Sequence, residues 1–231
     1  PGVNTRHLWN AALKMDFAVG DATLTSVSAY NSTEELLTGH AFDFPPAPNS
    51  IFMALFGFDL NQSQFLDVEY WSQELRLTSP DEGRFRWIAG AYFVHTDRFI
   101  STGNMVDDGT GVHAVYRQPR LAGNNPSATF LADSQDNDAW AVFANATFEL
   151  SDQFELDTAV RYDKDKRRNT TETPTAFLPD PSAFTGEVRK HSWSETQPKI
   201  TLRWQPSDTM TVYGGWSRGF RSGGFNQTGV G

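Results

Sequence analysis

The chain has 231 residues, a formal net charge of −9 and no cysteine. The acidic balance argues against a nucleic-acid partner, and the missing thiols exclude disulfides, thiol nucleophiles and cysteine-ligated zinc. No run approaches the roughly 18 apolar residues of a membrane helix. A membrane β-barrel stays open, because its strands alternate and average out as polar.

The first alternating run is His7 to Phe17, with Trp9, Leu13, Met15 and Phe17 on one face and Asn10, Lys14 and Asp16 on the other. Period-two alternation of this length predicts a strand with one apolar and one wet face. Val19-Gly20-Asp21 is turn chemistry, and Ala22 to Asn31 is strand-like with ambiguous parity. Ser32 to Phe65 loses the alternation and holds Pro45-Pro46-Ala47-Pro48, which cannot pair in a central ladder. It is predicted as a long loop with a short helix within Ile51 to Leu60.

Leu66 to Thr78 resumes the pattern: Trp71, Leu75 and Leu77 oppose Ser72, Glu74 and Arg76. A tight turn at Ser79–Gly83 leads to Phe85–His95, and a long loop is predicted over Thr96–Asn137. Asp138 to Leu150 is the cleanest strand, with Phe143 as the exception on the face of Asn145, Thr147 and Glu149. Ser151-Asp152-Gln153 turns the chain into Phe154–Asp163, and Lys164–Val188 is predicted as a third long loop. In Arg189–Trp204 the parity of Trp193 disagrees with Ile200, Leu202 and Trp204, and a bulge at Pro198 is the expected cause. Gln205–Asp208 turns into a last strand from Thr209, which runs into the glycine-rich bend Arg218–Asn226.

Short and long connections therefore alternate strictly, as short periplasmic turns and long extracellular loops do in outer-membrane barrels. Aromatic residues gather at both strand ends: Phe17, Phe85, Phe148, Phe154 and Trp204 by the short turns, and Trp9, Tyr30, Trp71, Phe93, Trp140, Tyr162 and Trp216 towards the long ones. Two aromatic girdles are expected where such a barrel meets its interfaces. A soluble β-sandwich would concentrate aromatics mid-strand instead. The predicted fold is all-β: an antiparallel transmembrane β-barrel fragment of about eight long meander strands. With long loops outside, both chain ends lie outside the cell, which reads as an internal slice of a larger barrel. Such a piece, with open edges and an apolar face, is expected to aggregate in water.

Two stretches carry a family resemblance. S-Q-E-L-R-L-T-S-P (Ser72–Pro80), with G-R-F-R-W-I-A-G-A-Y-F (Gly83–Phe93), and Y-G-G-W-S-R-G-F-R-S-G-G-F-N (Tyr213–Asn226) resemble the barrel of TonB-dependent outer-membrane receptors. Ala141–Asp163 and Thr196–Leu202 fit the same family. The resemblance implies a 22-stranded barrel with an N-terminal plug that imports scarce nutrients, often ferric siderophores, using energy from the TonB complex. It implies that residues 1–231 are a partial barrel domain without plug or TonB-contacting box. The partners it implies are outer-membrane lipid, the TonB complex through that plug region, and a ferric siderophore or similar nutrient. A passive porin-like barrel is the alternative, and a soluble carbohydrate-binding β-sandwich a more distant one.

No catalytic residue or cofactor is expected, since neither a nucleophile elbow nor a phosphate loop is present. Glu74, Arg76 and Arg161 are candidates for a lumen lining that meets plug or ligand. Arg218 and Arg221, among glycines, are candidates for an anionic ligand at the outer surface. Each competes with a plain solvated charge ladder, in which a cross-strand pair contributes about 0.2–1 kcal/mol. Asp133, Asp136 and Asp138 are expected in a solvated loop, and His7, His40, His95, His113 and His191 show no metal-binding spacing. Ligand recognition is expected in the three long loops.

Overall fold

The computed structural model describes residues 2–41 and 51–226. The Pro45–Pro48 stretch lies outside the described residues. The elements are β1 (Asn4–Val19), β2 (Ala22–His40), α1 (Ile51–Phe56), β3 (Asp59–Thr78), β4 (Phe85–Asp107), β5 (Ser127–Ser151), β6 (Phe154–Thr171), a 3-10 turn at Thr175–Phe177, β7 (Val188–Ser207) and β8 (Met210–Ser217). The strands form one 8-stranded sheet in sequence order, every neighbouring pair antiparallel. This is the expected meander. Among the described residues the sheet stays open, with β1 and β8 at its edges.

Register converts the alternation into two faces. Phe17 lies across from Leu24, Leu24 from Leu77, Leu77 from Ala89, Phe85 from Phe148, Leu156 from Leu202, and Trp204 from Val212. These residues share one apolar face, whose Leu13, Leu75, Val142, Ile200 and Trp216 remain exposed. A continuous band of this kind is incompatible with water as its only solvent. Ser26, Ser28 and Gln73 interrupt it, and they satisfy one another: Gln73 Nε2 donates to Ser26 Oγ at 3.0 Å and Ser28 Oγ to Gln73 Oε1 at 2.5 Å. Polar groups without water need such internal partners.

Aromatic rings pair across strands at two levels. Phe85–Phe148 and Phe154–Trp204 meet near the short turns, with centroids 4.8 and 6.0 Å apart. Trp9–Tyr30, Trp71–Phe93 and Trp140–Tyr162 meet farther along, at 5.3, 5.0 and 5.5 Å. Both expected girdles are present.

The strands continue far beyond the second girdle, which corrects the predicted loops. Much of Ser32–Phe65, Thr96–Asn137 and Lys164–Val188 is strand. Of the predicted helix, Ile51–Phe56 is helical and Asp59 already opens β3. β5 has 25 residues, whereas about 9–11 tilted residues cross a bilayer. Past the girdle neither face contacts an apolar solvent, so the ladder persists while the alternation fades. The connection at 108–126 folds back over this extension. It helps close a satellite core of Phe65, Phe99, Met105, Val115, Phe130 and Ala132. Ser63 clamps it, donating to Val115 O at 3.1 Å and accepting Val115 N at 2.9 Å.

Two further expectations are corrected. β6 and β7 keep one register through Pro198, which faces Val160, so no bulge occurs there. Trp193 faces Asp165 and belongs to the polar face. Asp133, Asp136 and Asp138 lie on β5 rather than in a loop, and strand parity puts Asp133 on the face opposite the other two.

Candidate binding surface

The polar face is a wall of interlocked charges. Near the short turns Arg86 binds both Glu149 and Glu155, the latter at 2.8 Å, and Arg203 joins Glu155 at 3.1 Å. One level up, Asp157 accepts from Asn145 at 2.9 Å and Thr147 at 3.2 Å and faces Lys199 at 3.2 Å. Cross-strand register creates each group: Glu155 lies opposite Arg203 and Asp157 opposite Thr147, and the remaining partners sit diagonally within reach on the same face.

Arg161 turns both Nε and a terminal nitrogen onto Asp163, at 2.8 Å each, and Gln197 donates to the same carboxylate. The guanidinium stands 5.8 Å from the Phe143 ring centroid. Phe143, the parity exception, lies over Gly90: a Cβ at Gly90 would meet the Phe143 ring at 2.5 Å and Leu75 O at 2.6 Å. The glycine opens the space that an aromatic ring on the wet face occupies.

Beyond β8 the chain folds back across this wall. Arg218 pairs with Glu195 at 2.8 Å, and Phe220 N donates to Gln197 Oε1 at 3.0 Å. Arg167 binds Asp165 at 2.8 Å and Ser222 Oγ at 2.6 Å, with its guanidinium 5.8 Å from the Trp193 ring. Trp193 contacts His191 and Phe225, with centroids 4.4 and 6.1 Å apart, and Gly223 lies directly against it. Arg189 donates to Asn169 at 2.6 Å and stands 5.6 Å from the Phe225 ring.

The structure thus brings Arg161 and Arg218 into one strip, because Asp163 and Glu195 are cross-strand partners. Glu74 and Arg76 pair with each other at 3.5 Å on β3, well removed along the sheet. Arg221 is exposed and has no side-chain hydrogen bond or ion pair among the described residues. Sequence reasoning missed Arg167, Trp193 and Phe225. The parity of Trp193 was the available signal, and it marked an inward-facing aromatic instead of a bulge.

The opposite face, just past the second girdle, is also charged. Asp67, Glu69, Asp97, Phe99, Arg117 and Asp136 border an open depression of about 370 Å³. Lys166, Arg168, Lys190, Asp136 and Asp138 border another of about 560 Å³. His95 bonds Asp138 at 2.7 Å and Asp97 at 3.2 Å. The Asp138 hydrogen bond, with support from Asp97, outweighs the opposing effect of partial burial and raises the His95 pKa above the ordinary imidazole value.

Comparison with known proteins agrees with this architecture. The family model described as TonB dependent receptor-like, beta-barrel, matches residues 2–231. No curated protein matches the chain in sequence. Among solved structures, the chain is similar to the ferric yersiniabactin uptake receptor FyuA from Yersinia pestis, at 16% identity and TM-score 0.65, covering 90% of this chain and 27% of that one. The siderophore receptor PiuA from Acinetobacter baumannii gives 16% identity and TM-score 0.62, covering 93% of this chain and 32% of that one. The copper transporter OprC gives 12% identity and TM-score 0.59, covering 92% and 29%. The chain therefore spans about a third or less of the length of these receptors. At these identities the structural likeness shows the fold, and the family model shows the membership. The chain belongs to the TonB-dependent receptor family, as part of its bacterial outer-membrane β-barrel, and members of that family are transporters, not enzymes.

Proposed function

We propose that this chain forms part of the wall of a receptor for energised uptake of a scarce nutrient, most of all a ferric siderophore. The observation that carries the reading is the asymmetry of the wall. One face is an exposed apolar band between two aromatic rows; the other is a strip of paired charges with aromatic rings at its outer end. The first suits outer-membrane lipid, and the second suits a water-filled lumen. The names of the structural neighbours, ferric siderophore receptors among them, support this cargo class.

In this reading Arg161, Arg167, Arg218 and Arg221 meet an anionic ligand entering from outside. Arg221, exposed and without an ion pair among the described residues, makes the first contact. Arg161, Arg167 and Arg218 are each balanced by a carboxylate and offer fixed N–H donors, Arg221 supplies the unbalanced positive charge, and the aromatic rings beside them add apolar contact area. Glu74 and Arg76, on β3 three strands away from Arg161, hold the plug through which the TonB complex acts.

The test is uptake of radiolabelled ferric siderophore by cells carrying the full receptor under iron limitation. Uptake should require an intact TonB complex. Uptake that survives loss of TonB would favour a passive porin-like barrel and overturn the proposal.

A further inference from the structure

We propose that His40, Asp59 and Asp107 form a site for a divalent transition-metal cation of the zinc class, which clamps the outer ends of β2, β3 and β4. The site is independent of the transport reading, since it lies on the opposite face from the charged strip.

The three residues are far apart in sequence and meet through register. Asp59 lies directly across from Asp107, and His40 directly across from Asn61. One ligand atom from each of His40, Asp59 and Asp107 lies within 4.8 Å of the others. The two carboxylates are 0% and 3% exposed. Neither is ion-paired to a lysine or arginine among the described residues, and His40 Nδ1 stands 3.8 Å from Asp107 Oδ2.

Hydrogen bonds turn one oxygen of each carboxylate away and leave the other. Asp59 Oδ1 accepts Leu60 N at 2.8 Å, and Asp107 Oδ1 accepts Gly109 N at 2.9 Å. Asp59 Oδ2 is buried with no hydrogen-bond partner, as is His40 Nδ1. Asn61 Oδ1, at the position facing His40, is likewise buried and unpartnered, while its Nδ2 is held by Gly111 O at 3.2 Å.

Burying two carboxylates side by side without a cation is costly, because each loses its hydration and repels the other. A divalent cation removes both penalties. Zinc-class bonds to nitrogen and oxygen are about 2.0–2.2 Å long, so ligand atoms on one ion lie up to about 4 Å apart. The His40–Asp107 separation already fits, and a small side-chain rotation closes the rest. The donor set also selects the ion. Imidazole nitrogen with carboxylates suits zinc-class metals, whereas calcium takes six to eight oxygens. The geometric consequence is a staple: β2, β3 and β4 meet at one ion, where the connection at 108–126 leaves the sheet.

The test uses the full receptor in detergent micelles, stripped with a chelator and titrated with Zn²⁺ by equilibrium dialysis. Wild type should bind one more equivalent than Asp59→Asn or Asp107→Asn, with a loss in site affinity of about 100-fold or more. His40→Gln, at a partly exposed position, should show the same loss and decides the matter if the aspartate variants fail the heat-modifiable gel test of folding. Zn²⁺ should also raise hydrogen-exchange protection at Asn61 and Gly111 in wild type and not in His40→Gln. Equal zinc binding by wild type and His40→Gln would overturn the site. Displacement of zinc by equimolar Ca²⁺ would overturn the cation class, and unchanged protection on zinc binding would overturn the clamp.

Discussion

Gly90 and Phe143 show how single residues break the strand code for a reason. A glycine inside a strand weakens it unless something needs the space. Here the Phe143 ring occupies that space, and the Leu75 carbonyl closes it from the side. Gly90→Ala should destabilise the folded receptor by about 1–3 kcal/mol, the usual cost of overpacking. The double change Gly90→Ala with Phe143→Ala should recover only part, because backbone cannot retreat as a side chain can. Urea midpoints of the full receptor in detergent check this. Full recovery in the double variant would show that Leu75 O is not a barrier.

At the scale of elements, the outer extensions of β3, β4 and β5 are held differently from the membrane band. They own a small core, and Met105, 0% exposed, sits at its centre. Met105→Ala should cost about 2–5 kcal/mol locally. The loss should appear as faster hydrogen exchange across 108–126, with the strands between the girdles unaffected. Uniform deprotection of both regions would mean that extension and band open as one unit. The same separation explains the limits of sequence reading. Leu66–Thr78, Phe85–His95, Asp138–Leu150 and Phe154–Asp163 were legible because one face avoids water while the other does not. Ser32–His40, Thr96–Asp107 and Lys164–Thr171 are no less paired, but each residue there meets either water or a folded-back loop. In Thr96–Asp107 burial still alternates, but its buried positions include Ser101, Gly103 and Asp107 beside Phe99 and Met105, so the alternation leaves no hydropathy period and these stretches read as loops.

For the whole molecule, the two faces sort the seven tryptophans. Trp9, Trp71, Trp87, Trp140, Trp204 and Trp216 fall on the apolar face by register, and Trp193 on the polar one. In the full receptor reconstituted with brominated lipid, Trp204→Phe should reduce the quenched fraction of fluorescence. Trp193→Phe should leave the lipid-quenched signal unchanged. The reverse result would invert the sheet, placing the charged strip against lipid.

The sequence by itself determined the meander, the two girdles, the tight turns and the family. All rest on local rules: period-two alternation, turn chemistry, and motifs contiguous in the chain. Of the candidate residues, it identified Glu74, Arg76, Arg161 and Arg218 as polar-face or bend positions, yet not their partners. Only the tertiary structure decided that Arg161 and Arg218 share a strip, that Trp193 turns inward, and that His40, Asp59 and Asp107 converge. Those facts depend on cross-strand register and on how long connections fold back. Register couples residues dozens of positions apart, and no spacing within one strand encodes it.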